Sequence, residues 1–214
     1  MNTRRLILLL GIVSLAAGCM VKDTRHTLYL EPDGAVTWTI LETDVHWAGA
    51  AEEQSAAEEA YVVDFYCAEH MAWQALDLLE PQDLESRLLR DRPPFAGWFS
   101  ARYGAVDVLL RRLLELARVP GDVHRWADAA GSHLAVELWP DQAGDVDEDT
   151  EQRLLALVDD LEDYRLVLTA GRFTAAEGFR LEENGRVARP MEPDEAQVAA
   201  AGGLVRLQLT WQNE

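Results

Sequence analysis

Only two of the 214 residues are cysteine, Cys19 and Cys67, too few for a disulfide-stapled scaffold, so the core must hold by packing. Positive charge is equally scarce, with 19 Lys and Arg against 38 Asp and Glu and a formal net charge of −19. Nucleic acid and anionic headgroups are bound mainly through Lys and Arg, so no nucleic-acid partner is expected, and membrane attachment cannot come from charge. No apolar run reaches the ~20 residues that a transmembrane helix needs. There is no P-loop, no dinucleotide glycine fingerprint and no H-E-x-x-H, and none of Ser55, Ser86, Ser100 and Ser132 sits in a G-x-S-x-G elbow. No cofactor is therefore expected. Carboxylates are so common that no single pair marks a general acid and base.

What is present begins at the N-terminus. Arg4 and Arg5 precede an apolar stretch from Leu6 to Leu15, and the small residues Ala16, Ala17 and Gly18 lead to Cys19. That order of charge, apolar run and small residues is an export signal. Leu15-Ala16-Ala17-Gly18-Cys19 resembles the lipobox of bacterial lipoproteins, with Ala16 where Leu is most usual. The resemblance implies diacylglycerol on the Cys19 sulfur, cleavage before Cys19 and acylation of the new amino terminus. Several acyl chains, palmitate among them, make such an anchor durable, whereas one chain binds only reversibly at ~0.8 kcal/mol per methylene. Met20 stands where the inner-membrane retention signal of enterobacterial lipoproteins places Asp, which points to the outer membrane in a cell with two. The chain thus divides into a signal peptide (1–18), a lipidated cysteine with a short tether (19–26) and a single domain (27–214).

The domain reads as strands and helices in alternation. In HTLYLEPDGAVTWTIL, a Pro32-Asp33-Gly34 loop pairs Leu30 with Val36 and Leu28 with Trp38, and strand alternation places all four on one face. A similar loop at Ala129-Ala130-Gly131 pairs Trp126 with Leu134 and His124 with Val136. A third at Glu183-Asn184-Gly185 pairs Leu181 with Val187 and Glu182 with Arg186, in preference to a two-residue turn that sets Glu182 against Val187. Helical spacing of Val62, Phe65, Tyr66, Trp73, Leu76 and Leu79 predicts one long helix ending before Pro81, with an acidic first half. A second helix carries Leu109, Leu110, Leu113 and Leu114. A third starts at Asp149, three residues before Gln152, and buries Leu154, Leu155, Val158 and Leu161. Further strands are expected in SRLLRDR, FAGWFSARY, RLVLTAGRF and GLVRLQLTWQ. Short turns favour antiparallel pairing, so the fold class is α+β, antiparallel β-hairpins with about three helices packed on the sheet.

Candidate chemistry is sparse. Asp145, Asp147 and Asp149 alternate as calcium ligands do, but an EF-hand loop needs Gly and Glu where Thr150 and Ala156 stand. A solvated loop leading into a helix accounts for the same residues, and they remain weak calcium candidates. Cys67 and His70 have helical spacing, yet no second pair completes a four-ligand metal site. His26, His46, His124 and His133 are scattered, with His26 and His124 on apolar strand faces. Cys67 is expected to be a buried structural thiol, and the tryptophans Trp38, Trp126 and Trp211 to pack in the core.

The opening hairpin close behind a lipidated cysteine is similar to that of uncharacterised bacterial lipoproteins, a resemblance that implies no activity. The expected function is a non-catalytic binding or structural module of the bacterial envelope, held by lipid on Cys19 and meeting a protein partner there. The alternatives are an apolar-ligand or lipid-handling protein, then an unidentified hydrolase. Substituting Cys19→Ala should abolish metabolic palmitate labelling; a variant labelled as strongly as the wild type contradicts the assignment.

Overall fold

The computed structural model describes residues 20–155, 163–192, 194, 198 and 201–212, with the backbone alone at residues 141, 148, 149 and 155. Cys19 and the signal segment lie outside the described residues, as do Val158 and Leu161 of the expected third helix. Among the described residues no helix is long and apolar enough to cross a membrane.

The opening hairpin joins β1 (Met20–Leu30) to β2 (Val36–Trp47). The Glu31 amide bonds the Ala35 carbonyl at 2.8 Å and the Gly34 amide bonds the Glu31 carbonyl at 2.9 Å. Gly34 has φ +91°, a left-handed geometry that costs glycine little. Leu28 pairs with Trp38 and Leu30 with Val36, as the turn and the alternation jointly require. All four side chains are buried.

This hairpin is the centre of a seven-stranded sheet. On its β2 side lie β4 (Phe95–Tyr103) and the edge strand β3 (Asp83–Arg90). On its β1 side lie β7 (Tyr164–Leu168), β10 (Val187–Pro190) and β9 (Phe179–Glu182). A second sheet of four strands has the order β5 (Gly121–Asp128), β6 (Gly131–Leu138), β11 (Val205–Gln212), β8 (Arg172–Glu177). Leu30, Trp38 and Phe99 of the first sheet share one buried cluster with Val136, Leu209 and Trp211 of the second. The fold is α+β with mostly antiparallel pairing, but β1 and β7 run parallel. No tight turn joins that pair, so nothing local imposes the antiparallel direction that hairpins enforce.

The helices are α1 (Ala51–Tyr66), α2 (Met71–Asp77), α3 (Val106–Leu116) and α4 (Glu148–Leu155). Tyr61 and Phe65 of α1 rest on the sheet at Gly97, where an added Cβ would meet the Phe65 ring at 2.6 Å. A glycine in mid-strand marks this close approach. The expected single helix is broken after Tyr66: Ala68 has φ 60°, and His70 caps α2 by accepting from the Ala72 amide at 3.2 Å. The break turns Cys67 out to solvent, which corrects its assignment as a buried thiol.

Two hairpin registers also differ from the sequence reading. Trp126 pairs with His133 and His124 with Ala135, because the second turn contains only Ala129 and Ala130. Trp126 is consequently 42% exposed instead of in the core, and His124 is exposed as well. At the third turn Glu182 faces Val187, with Glu183 at φ 49°, Asn184 at φ 57° and Gly185 at φ 84°, the last two being the left-handed central residues of a tight turn closed by the Arg186 amide on the Glu183 carbonyl. Glu182 finds its cations on the strands instead, Arg180 at 3.0 Å and Arg189 at 2.9 Å. Residues 20–26, expected as part of a tether, lie in β1, which begins at Met20 paired with Trp47.

Trp38 is 2% exposed at the middle of the sheet. Trp38→Ala should destabilise the domain by about 3–5 kcal/mol in urea melts, the range for losing a buried large aromatic. Trp126→Ala should cost under about 1 kcal/mol, as for a surface site; equal losses at the two positions would show that the second register is misassigned.

Candidate functional site

Strand alternation carries Val36, Trp38, Ile40 and then Glu42 onto the same buried face of β2. Glu42 is 1% exposed, a position where an unpaired carboxylate would be very costly. Three side chains compensate. Lys22 of β1 places Nζ 2.5 Å from Oε1. Tyr61 of α1 donates its hydroxyl to Oε2 at 3.2 Å. Nε2 of His70 lies 3.2 Å from the same oxygen, and since Nδ1 accepts from the Ala72 amide, Nε2 carries the proton. Burial pushes the Glu42 pKa up, but the His70 and Lys22 contacts together outweigh it and hold the carboxyl down at about 2. Burial, aided by the Glu42 charge, pushes the Tyr61 hydroxyl well above its ordinary range.

The rest of this neighbourhood is aromatic. His70 lies 4.7 Å from the Phe99 ring and 5.7 Å from Phe65, and Tyr61 lies 5.3 Å from Phe95. The space between the α1–α2 corner and the sheet is thus filled, and His70 is itself 7% exposed. Among the described residues these rings enclose the Glu42–His70 pair. It fastens β1, β2, α1 and α2 to one another.

A second buried histidine lies farther along β1. His26 accepts from the Trp38 indole at 3.2 Å and stacks on Tyr164 at 4.3 Å. Burial, the leading cause, holds its pKa down at about 4, so the ring is neutral at pH 7.

The third histidine has the outline of a catalytic relay. His133 Nε2 is 2.9 Å from Asp128 Oδ1, and Nδ1 is 3.1 Å from the Thr210 hydroxyl. Its polarity is inverted for catalysis. Thr210, which would be the nucleophile, is 7% exposed, while the Asp128 side chain is 52% exposed. An activated hydroxyl must reach a substrate, and this one is buried within the second sheet. The parallel stacking of Trp126 on His133 at 4.7 Å covers the remaining ring face.

The open concavities lie elsewhere. A cleft of about 490 Å³ runs between the segment after α2 and the face of α3, lined by Leu79, Glu80, Tyr103, Val108, Arg112 and Glu115 among others. Its one cation, Arg112, bonds Glu80 at 2.6 Å and approaches Glu115 at 3.8 Å. A shallower hollow of about 410 Å³ lies beside Arg118 and Pro120. Neither adjoins the histidine clusters.

The candidates raised by the sequence do not converge. Asp147, not Asp149, caps α4, accepting from the Thr150 amide at 3.0 Å. That bond, the leading cause, holds its carboxyl below the ordinary value. Asp145 is exposed, and the side chain of Asp149 lies outside the described atoms. Cys67 points to solvent while His70 turns inward to Glu42, so their sequence spacing brings no ligand pair together. Among the described residues no group of three His, Cys, Asp or Glu side chains could hold a metal ion. Sequence reasoning passed over Glu42, although an acid continuing the Val36-Trp38-Ile40 face was a visible signal.

No protein-family model matches the chain, and no curated protein matches it. Among solved structures, the chain is similar to the folded domain of Mycobacterium tuberculosis LppM, determined by NMR, at 12% identity over 95% of this chain and 97% of that one, with a TM-score of 0.37. A likeness of that degree carries no argument about function.

Glu42→Gln should lower stability by about 3 kcal/mol at pH 7, the order expected on breaking a buried ion pair. Because the folded pKa is depressed, the contribution of the carboxylate is complete above its ordinary value of 4.5 and is lost as pH falls toward about 2. The gap between wild type and variant should therefore close across that window. Parallel pH profiles in chemical denaturation would contradict the assignment.

Proposed function

We propose that this chain is a bacterial envelope lipoprotein, held to its membrane by acyl chains on Cys19, whose single domain is a non-catalytic binding or structural module. Residues 1–18 are the signal peptide in this reading, and Met20 favours the outer membrane where a cell has two. The observation that carries the non-catalytic part is the use made of the histidines. His70 bonds a carboxylate that is sealed from solvent, and His133 links the buried Thr210 hydroxyl to the half-exposed Asp128; neither histidine lines the two clefts described above. They are fastenings between elements.

The reading of an apolar-ligand carrier draws less support. Such a protein needs an enclosed apolar space, and the region between α1, α2 and the sheet is occupied by Tyr61, Phe65, Phe95 and Phe99. The described clefts are open and edged by Glu80, Arg112 and Glu115.

Fractionation and native mass spectrometry of the full chain from its own host test the proposal together. Wild type should sediment with membranes and Cys19→Ala should be soluble with an unchanged melting temperature. In-cell crosslinking should yield an adduct with another protein, and the released domain should show its bare polypeptide mass. A small apolar molecule bound at one-to-one stoichiometry would instead favour the carrier.

A further inference from the structure

The first four strands of the large sheet end together. Met20 pairs with Trp47, Val45 with Phe95, and Arg90 with Ala96, so the start of β1, the end of β2 and the β3–β4 loop form one rim. The opposite end is marked by Leu30 against Val36 and by Asp83 against Arg102. The rim carries exposed apolar groups. Val21 is 46% exposed, and Leu89 is 53% exposed because it sits at the bulge between Leu88 and Arg90. Trp47 is half-buried, its indole N–H bonding the Ala50 carbonyl at 2.9 Å, and Pro93 and Pro94 complete the loop. Tryptophan and short apolar side chains in this setting suit the headgroup layer of a bilayer.

The chain says what covers this rim. Cys19 adjoins Met20, and neighbouring Cα atoms are ~3.8 Å apart, so an acyl anchor on Cys19 leaves the rim no room to stand away. We infer that the Val21–Trp47–Leu89 rim is the membrane-contacting surface of the domain, which stands end-on with these side chains in the headgroup layer of the bilayer that holds its anchor. The inference rests on lipidation of Cys19. Charge agrees with an end-on stance and does not drive it. Arg90 and Arg92 flank Asp91, and together with Asp44, Glu52 and Glu53 these groups sum to −2, a small share of the −19 that the whole chain carries. Lying flat would bring many more acids against anionic headgroups.

The test uses the full lipidated chain with Cys67→Ser, reconstituted in phosphatidylethanolamine–phosphatidylglycerol vesicles containing a nitroxide on the lipid headgroup. A fluorophore is placed on Arg92→Cys, in the β3–β4 turn, in one sample and on Asp83→Cys, at the far end of β3, in another; β3 itself spans about 24 Å at ~3.4 Å per residue. Quenching should be several-fold stronger at 92 than at 83, should persist in high salt, and should fall when Val21→Ser and Leu89→Ser are combined without loss of vesicle flotation. Equal quenching at the two sites, or its loss in high salt, overturns the rim assignment while flotation leaves the anchor standing. Failure of the full chain to float overturns the anchor, and the rim with it.

Discussion

A carboxylate that is 1% exposed constrains everything around it, and Glu42 occupies such a position on the central strand pair. Leaving it unpaired would cost several kcal/mol, so the positions of its partners are tightly bound to it. Lys22 fixes the start of β1, Tyr61 fixes α1, and His70 fixes both α2 and the corner before it. Gly97, the residue of β4 opposite Glu42, gives the helix room to approach. The large sheet and its helical cover therefore meet at one polar point inside an aromatic shell.

How far this could be read from the chain depends on how many local rules agreed. At Pro32-Asp33-Gly34 the turn and the burial pattern demand one register, and the structure has it. β5 is an edge strand with only Val123 buried, so no apolar face pins its register, and a one-residue slip puts Trp126 outside. The third turn was read through an expected Glu182–Arg186 pair, but Arg180 and Arg189 serve that carboxylate from the strands. The break after Tyr66 has no Gly or Pro to announce it, since Ala68 takes the left-handed conformation. The parallel β1–β7 pair and the separation into two sheets depend on long-range pairing, for which the sequence has no local sign. Convergence of Lys22, Tyr61 and His70 on Glu42 is of the same kind.

The same cluster bears on function. Under the proposed lipidation of Cys19, β1 starts at the very next residue, so the sheet would follow the membrane without a free tether, with Lys22 bonded to the buried Glu42. Strong negative charge elsewhere keeps the body of the domain from lying on anionic lipid. His70 and His133 pack and bond within the fold, and the larger described cleft is edged by the paired charges of Glu80 and Arg112.

Hydrogen exchange of the full chain, resolved by peptide mass spectrometry, tests this account most directly. If Lys22 and Glu42 lock the start of β1 to the core, the β2-bonded amides between Val21 and Arg25 will be protected to nearly the degree seen in the middle of β2, and Lys22→Met will release them. Exchange of that segment at the rate of an unstructured chain would mean that it is a free tether, contradicting the account.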